Sequence, residues 1–395
     1  MAKPTLTIFY QFDPWGNSLG GIQTTVRSYV KYAPPEFELR LVGIEDDPTV
    51  PTGVWHKAEL AGRDLWFMPL FTVANDNYGR KIPITVQYTA ALLKHDFSSD
   101  FLHFHRLEPT LAARSWQGEK TLFVHNDIAQ QLNPQGREAI LWQRFPKVYL
   151  ALEGWLIQQF NEILSCNQAA VEHYRRHYPA LAQRVHLQRN TVDQEVFSPL
   201  TPPARDAARR ELAHKLELDG ATRFLLFAGR LHPQKDPVLL VQSLQQLADP
   251  LVHLLIAGEG DLGAQVQAEI SRLGLVGRVT MLGAIPQTEL ARLQRLVDGF
   301  VLSSVYEGLP LVALEALACG TPVVTTRAGE TPNLLLPGSG LVVEERTPVA
   351  LAQALRRVVH EPQAFPAAQC VKAAEPYSAR AVIESVYRNM WQRWR

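Results

Sequence analysis

Cysteine is scarce in this chain: three among 395 residues, Cys166, Cys319 and Cys370. They stand far apart, so they offer no metal-binding spacing and no dense disulfide framework. They suit a reducing compartment, which points to the cytoplasm. Neither sign of charge is in excess: 39 Lys and Arg balance 39 Asp and Glu, for a net charge of +0 at pH 7. A chain without a global field advertises no polyanion, so nucleic acid is not an expected partner. No apolar run reaches the ~18 residues that a membrane-spanning helix requires. The opening, MAKPTLTIFYQFDPWG, lacks the charged start and cleavage site of a signal peptide and reads as a first strand. Internal repeats and low-complexity tracts are also missing. What is present is 46% apolar and 20% charged residues, the balance of a globular chain. Its length suggests two or three domains with sizeable cores.

Short apolar runs mark strands at residues 5–11, 37–44, 64–71, 101–104, 121–124 and 185–188. Helical patterns fill residues 20–32 and 82–94. The second half alternates more cleanly. Apolar runs at 224–227, 252–256, 279–282, 300–302 and 322–325 are separated by helical patterns of ~10–15 residues, which predicts βαβ units and a parallel sheet. Residues 198–205 hold three prolines and read as the linker between domains. Residues 377–395 form an amphipathic pattern with Val382, Val386, Met390 and Trp394 on one face. Residues 137–160 are rich in Trp, Tyr, Leu and Arg. They read as a core helix, with a membrane-surface face beside Arg137, Arg144 and Lys147 as the alternative.

The chain is organised around residues 303–324, SSVYEGLPLVALEALACGTPVV. They read as strand end, turn, helix, glycine stop and strand. Pro310 suits the start of a helix, and Cys319-Gly320 followed by Thr321-Pro322 ends it. Leu311, Leu314, Leu317 and Ala318 form the apolar stripe. The helix N-terminus, with free N–H groups and partial positive charge, favours phosphate. Glu307 lies in the turn and Glu315 eight positions on, where carboxylates suit sugar hydroxyls better than phosphate. Upstream, Arg230 and Lys235 in FAGRLHPQKDP follow a buried strand and form a candidate anion clamp. Gly258, Gly260 and Gly263 spell G-x-G-x-x-G, but the next strand ends in Met281-Leu282-Gly283 without the acid that would hold a dinucleotide ribose. These glycines therefore read as backbone turns. Gly283 and Ala284 offer a backbone edge at that strand end.

In the first half, Gly20-Gly21 opens a helix after a strand and lets a ligand approach the backbone. His103 and His105 end one strand and His125 the next, where open α/β sheets bind ligands. Glu45-Asp46-Asp47 reads as a solvated turn before Pro48, so no metal site is expected.

The E-x7-E stretch closely resembles that of the retaining glycosyltransferases of family four, which have the GT-B fold. The resemblance covers most of residues 223–359 and is thinner elsewhere; Arg230 and Lys235 match the family's GR-x4-K, and Asn190, Asp193 and Phe197 match its hinge element. It implies an α/β chain of two facing Rossmann-like domains with the active site in the cleft. The boundaries would be 1–197 for an acceptor domain, 198–375 for a nucleotide-sugar domain, and 376–395 for a helix crossing back. The implied enzyme is a hexosyl-type glycosyltransferase that moves a sugar from a nucleotide diphosphate sugar to a hydroxyl on a polysaccharide, glycolipid or small molecule. Retention would follow from front-face departure and attack around an oxocarbenium-like ion. Arg230 and Lys235 would stabilise the diphosphate, Glu315 the ribose hydroxyls and Glu307 the transferred sugar. The backbone of Gly308, Leu309 and Leu311 would face sugar and phosphate, and Gly283 and Ala284 the base. His125 matches the family's N-domain histidine, Gly20 and Gly21 would approach the diphosphate, and the H-x-H pair would be mostly structural. The nucleotide sugar would be a co-substrate, with no cofactor and no metal; peripheral membrane contact would fit a lipid-linked acceptor. Thr191 and Pro310 replace family glycines, and AGETPNLL departs from the GG-x-P-E pattern at Glu330. The alternatives are a sugar-nucleotide 2-epimerase on the same fold and a GT-B module that binds without turnover.

Overall fold

The computed structural model describes residues 3–16, 20–73, 82–125 and 146–395. The chain divides into two units, Met1–Arg189 with Arg380–Arg395, and Asn190–Ala379.

The first unit is built on β1 (Thr5–Phe9), β2 (Glu38–Glu45), β3 (His56–Leu60), β4 (Arg63–Thr72), β5 (Phe101–Phe104), β6 (Glu119–Val124), β7 (Glu162–Ser165) and β8 (Val185–Leu187). They lie in the order β3-β4-β2-β1-β5-β6-β7-β8. β3 and β4 pair antiparallel, and the other pairs are parallel. The order reverses between β1 and β5, the kind of place at which open α/β sheets bind ligands. β3 carries no long apolar run (its burial alternates), which is why the sequence reading passes over it.

The second unit is wholly parallel. β9 (Arg223–Ala228), β10 (Val252–Ala257), β11 (Val279–Gly283), β12 (Gly299–Leu302), β13 (Val323–Thr326) and β14 (Gly340–Val343) lie in the order β11-β10-β9-β12-β13-β14. Every residue of β10, β12 and β13 is buried. Helices cover both faces of a parallel sheet, so such strands read as unbroken apolar runs. The reversal here falls between β9 and β12.

Three sequence expectations are corrected. The boundary lies at Arg189/Asn190, not at 197/198. Val192 and Phe197 pack into the second unit's core at 1% exposure each, which draws the preceding residues with them. The proline-rich stretch is no linker: Pro202 and Pro203 open the helix Pro202–Lys215, where a missing N–H costs nothing. The last helix, Ala379–Trp394, buries Ile383, Tyr387 and Met390, while Val382 and Val386 only flank that face. Tyr387 is the reason. Its ring packs edge-on to Phe37 at 4.9 Å and its hydroxyl donates to the Tyr29 carbonyl at 2.9 Å. From Arg380 onward this helix belongs to the first unit, where Arg393 pairs with Glu119 at 2.6 Å.

Residues 137–145 lie outside the described residues, Arg137 and Arg144 among them. The helix Pro146–Leu156 that follows fits neither sequence reading alone. Leu156 is fully buried, yet Val148, Leu150 and Trp155 are exposed. Among the described residues, no helix is long and apolar enough to cross a membrane.

Candidate active site

In the second unit the candidate residues gather where the strand order reverses. β9 ends at Ala228, and the loop after it carries Arg230 and Lys235; β12 ends at Leu302, and the loop after it carries Glu307. These two loops are stitched together. Ser303 Oγ donates to the carbonyls of Lys235 and Asp236 at 2.9 and 2.8 Å. The Val305 N–H donates to the Gln234 carbonyl at 2.8 Å. Lys235 Nζ consequently reaches Glu307 Oε1 at 2.6 Å, and Ser304 Oγ donates to the same oxygen at 2.5 Å. Glu307 is only 5% exposed, so this ion pair is screened little by solvent. Asp236 holds a left-handed backbone at φ 44° and caps the helix Pro237–Leu247 by accepting from the Leu239 N–H. That kink turns the chain just after Lys235.

Glu315 sits within the helix Leu311–Ala318, 6% exposed. Burial pushes its carboxyl up to about 7, against a hydrogen bond from Gln287. Its Oε2 has no hydrogen-bond partner among the described residues. A buried oxygen left in this state is poised for a ligand hydroxyl. Pro310 is the residue before the helix, not its first residue, and no side chain caps this N-terminus. The Leu309 carbonyl accepts from Asn190 Nδ2 at 2.7 Å, and the Gly308 carbonyl from the Glu330 N–H at 3.0 Å. Gly329 lies so close that a Cβ there would stand 1.9 Å from the Glu307 carbonyl. Glu330 meanwhile holds Asn333 at 2.9 Å. Arg230 is exposed, two residues beyond β9.

The G-x-G-x-x-G glycines have a packing explanation. A Cβ on Gly258 would stand 2.0 Å from the Gly229 carbonyl, and one on Gly260 2.5 Å from that of Leu231. They let the loops after β9 and β10 touch. The backbone edge at Gly283 and Ala284 is partly engaged. The Gly283 carbonyl accepts from the Gly258 N–H at 2.7 Å, and the Ala284 N–H donates to Glu259 at 3.3 Å.

In the first unit, Gly20 precedes the helix Gly21–Lys31, whose N-terminus no side chain caps. His125 stands one residue past β6, half-buried, with Nε2 2.9 Å from His105 Nδ1. Burial, then Arg106, lowers it to about 4. The acidic turn is more elaborate than a solvated one. Glu45 is 7% exposed and accepts from the Asp46 and Asp47 N–H groups. Asp13 joins it, and oxygens of Asp13, Glu45 and Asp46 all lie within 4.8 Å of one another. Asp47 turns away to bind Thr49.

Sequence reasoning missed Ser304, Glu259, Asp13 and the bond between His105 and His125, and it named Asn190 as part of the hinge element without its bond to the Leu309 carbonyl. Ser304, three residues before Glu307, and Glu259, between two glycines, carried a local signal. Asp13 lies more than thirty residues from Glu45, and only the sheet brings them together.

Residues 208–375 match the model of the family described as Glycosyl transferases group 1. The D-inositol 3-phosphate glycosyltransferase of Segniliparus rotundus is 33% identical over 210 residues, covering 51% of this chain and 45% of that protein. The enzyme of the same name from Frankia alni is 34% identical over 226 residues, 54% of each. The chain thus spans about half the length of the curated relatives it matches. Likeness in fold runs end to end. Sucrose-phosphate synthase from Thermosynechococcus elongatus superposes with a TM-score of 0.79 at 19% identity, covering 99% of both chains. HepE of Anabaena, in complex with UDP and glucose, gives 0.71 at 17% identity over 98% of this chain and 100% of that one. A doubly wound second unit with its ion pair at the strand reversal, the family match and these superpositions agree: the chain has the GT-B fold and carries, at residues 208–375, a glycosyl transferases group 1 domain.

Proposed function

We propose that this protein transfers a sugar from a nucleoside diphosphate sugar to a hydroxyl acceptor, with retention of anomeric configuration. The observation that carries the reading is the Lys235–Glu307 pair at 2.6 Å, fixed between the loops after β9 and β12. Glycosyl transfer builds negative charge on the departing diphosphate, and a preorganised cation stabilises it without reorganising. Lys235, held by Glu307, supplies that charge, and Arg230 supplies a second. Glu307 then contacts the sugar, as the opposing charge at the anomeric side. Glu315 receives the ribose hydroxyls on its unpartnered oxygen. Gly308, Leu309 and Leu311 present backbone to sugar and phosphate, aided by the uncapped helix end. Gly283 and Ala284 meet the base, which requires Glu259 to release the Ala284 N–H. Gly20 and Gly21 admit the diphosphate to the backbone, and His125 hydrogen-bonds a sugar hydroxyl. The neighbouring structures of HepE with UDP-glucose and of starch synthase IV with ADP support the nucleoside diphosphate class.

The acceptor is read by the first unit. Inositol 3-phosphate, named in the relatives, belongs on an acceptor panel with polysaccharides and glycolipids. Exposed Val148, Leu150 and Trp155, with Arg114 stacked 3.8 Å from the Trp155 ring, would suit an anionic membrane surface bearing a lipid-linked acceptor. Retention on anionic vesicles that Trp155→Ala weakens would support that part, and equal recovery with neutral vesicles would end it.

The central experiment is a donor panel scored by nucleotide release with each acceptor. Arg230→Ala and Lys235→Ala should each cut transfer by roughly 10²–10³. Arg230→Ala should leave folding nearly intact, whereas Lys235→Ala also strips buried Glu307 of its cation and should lower the melting temperature, so its transfer is scored per folded molecule. Near-normal transfer by either variant removes the basis of the reading. Epimerised donor, with no sugar on the acceptor, would favour a 2-epimerase.

A further inference from the structure

His105 lies just past β5 and is 3% exposed. Its ring stacks on Phe123 at 4.7 Å and 10° and lies side by side with that of His125, nearly coplanar at 15° with centroids 5.1 Å apart; Tyr10 closes its edge at 6.1 Å. This packing fixes the plane of the ring, and in it Nδ1 stands 2.9 Å from His125 Nε2. Its own Nε2 is buried without a hydrogen-bond partner among the described residues. Burial, with His125 and His103 nearby, holds His105 well below the usual histidine range, so both rings of the pair are neutral at pH 7.

Two neutral imidazoles share one proton across this bond, and the two arrangements differ in cost. If His125 Nε2–H donates, His105 must carry its proton on Nε2, a buried N–H without an acceptor. If His105 Nδ1–H donates, the buried Nε2 keeps only a bare lone pair. Orphaned buried N–H groups are the rarer and costlier case. The second arrangement also occupies the one basic lone pair of His125 and leaves its proton on Nδ1.

We infer that His105 is a positioning residue that fixes His125 as the Nδ1–H tautomer. His125 is thereby a hydrogen-bond donor toward substrate oxygen, and it is kept from serving as a general base. The inference rests on the proposed role of His125 and deepens it. A donor at that place suits the oxygen of a sugar hydroxyl, whereas a base there would deprotonate water and favour donor hydrolysis.

The test uses the full chain with 15N-histidine, whose two-bond proton–nitrogen correlations report the tautomer of each ring at neutral pH. His105→Phe and His125→Ala assign the two signals. The wild type should show both His105 and His125 protonated on Nδ1; His125 protonated on Nε2 overturns the inference. In nucleotide-release assays His105→Phe, which keeps the stack on Phe123, should lower kcat by roughly tenfold to a hundredfold with donor KM nearly kept. His105→Asn, which restores an N–H near the Nδ1 position, should recover most of that loss. Equal activity of the Phe and Asn variants would also overturn it. Full transfer by His125→Ala would remove the role of His125, and with it the catalytic meaning of the pair, while the wild-type spectrum would still report the bond itself.

Discussion

Asp13 shows how one residue changes meaning once its neighbours are known. Burial pushes its carboxyl up to about 7, helped by a hydrogen bond with Asp46 and the charges of Glu45 and Asp46. Its unfolded value is near 3.8. A carboxyl raised on folding stabilises the native state fully below pH ~4, and that contribution is lost as pH rises through ~7. Asp13→Asn removes the ionisable group. Its melting temperature should exceed that of the wild type at pH 8, with the gap closing toward pH 5. A gap that widens on acidification would show that the proton is not shared there. Glu315 titrates in the same window, but it is common to both proteins and cancels in the comparison. The sequence displayed Glu45, Asp46 and Asp47 as neighbours, yet the residue that completes the group, Asp13, was legible only through the pairing of β1 with β2.

Among the elements, the loops of the second unit are the most exactingly built. Gly258 has φ 135° and no room for a Cβ beside the Gly229 carbonyl. Gly258→Ala should therefore destabilise the protein by at least about 2 kcal/mol, because backbone and not a flexible side chain must move. Gly220, where an added Cβ would meet nothing within 4 Å, serves as control, and Gly220→Ala should stay within about 0.5 kcal/mol of the wild type. Denaturant unfolding of the two variants measures both. Equal effects would show that the contact between the loops after β9 and β10 contributes little. The G-x-G-x-x-G spelling was legible in sequence, and Gly258 and Gly260 lie in the loop after β10 as its reading as turns expects, but Gly263 opens the helix Gly263–Arg272. The facing carbonyls of Gly229 and Leu231 were not legible, since they come from the loop after β9, 29 residues earlier in each case.

At the scale of the whole molecule, the proposed chemistry asks Arg230 and Lys235 to do the work that a divalent ion does in other transferases. Transfer should then survive a strong chelator. Loss of activity that manganese or magnesium restores would transfer attention to Asp13, Glu45 and Asp46, whose oxygens stand close enough to share an ion. A metal-dependent rise in melting temperature, absent in Asp13→Asn, would locate it. By itself the sequence determined the alternation of strand and helix, the E-x7-E helix from Leu311 to Ala318, and the cations after β9. Each of these is a local pattern: a run of buried residues, a proline before a helix, a glycine after it. Only the tertiary structure decided that Lys235 meets Glu307, that Asn190 holds the Leu309 carbonyl, that His105 meets His125, and that the last helix turns Tyr387 inward. The physical reason is that parallel strands adjacent in a sheet are separated in sequence by a whole crossover. Their loops converge at one edge, and nothing in either loop's own composition names its partner across that edge.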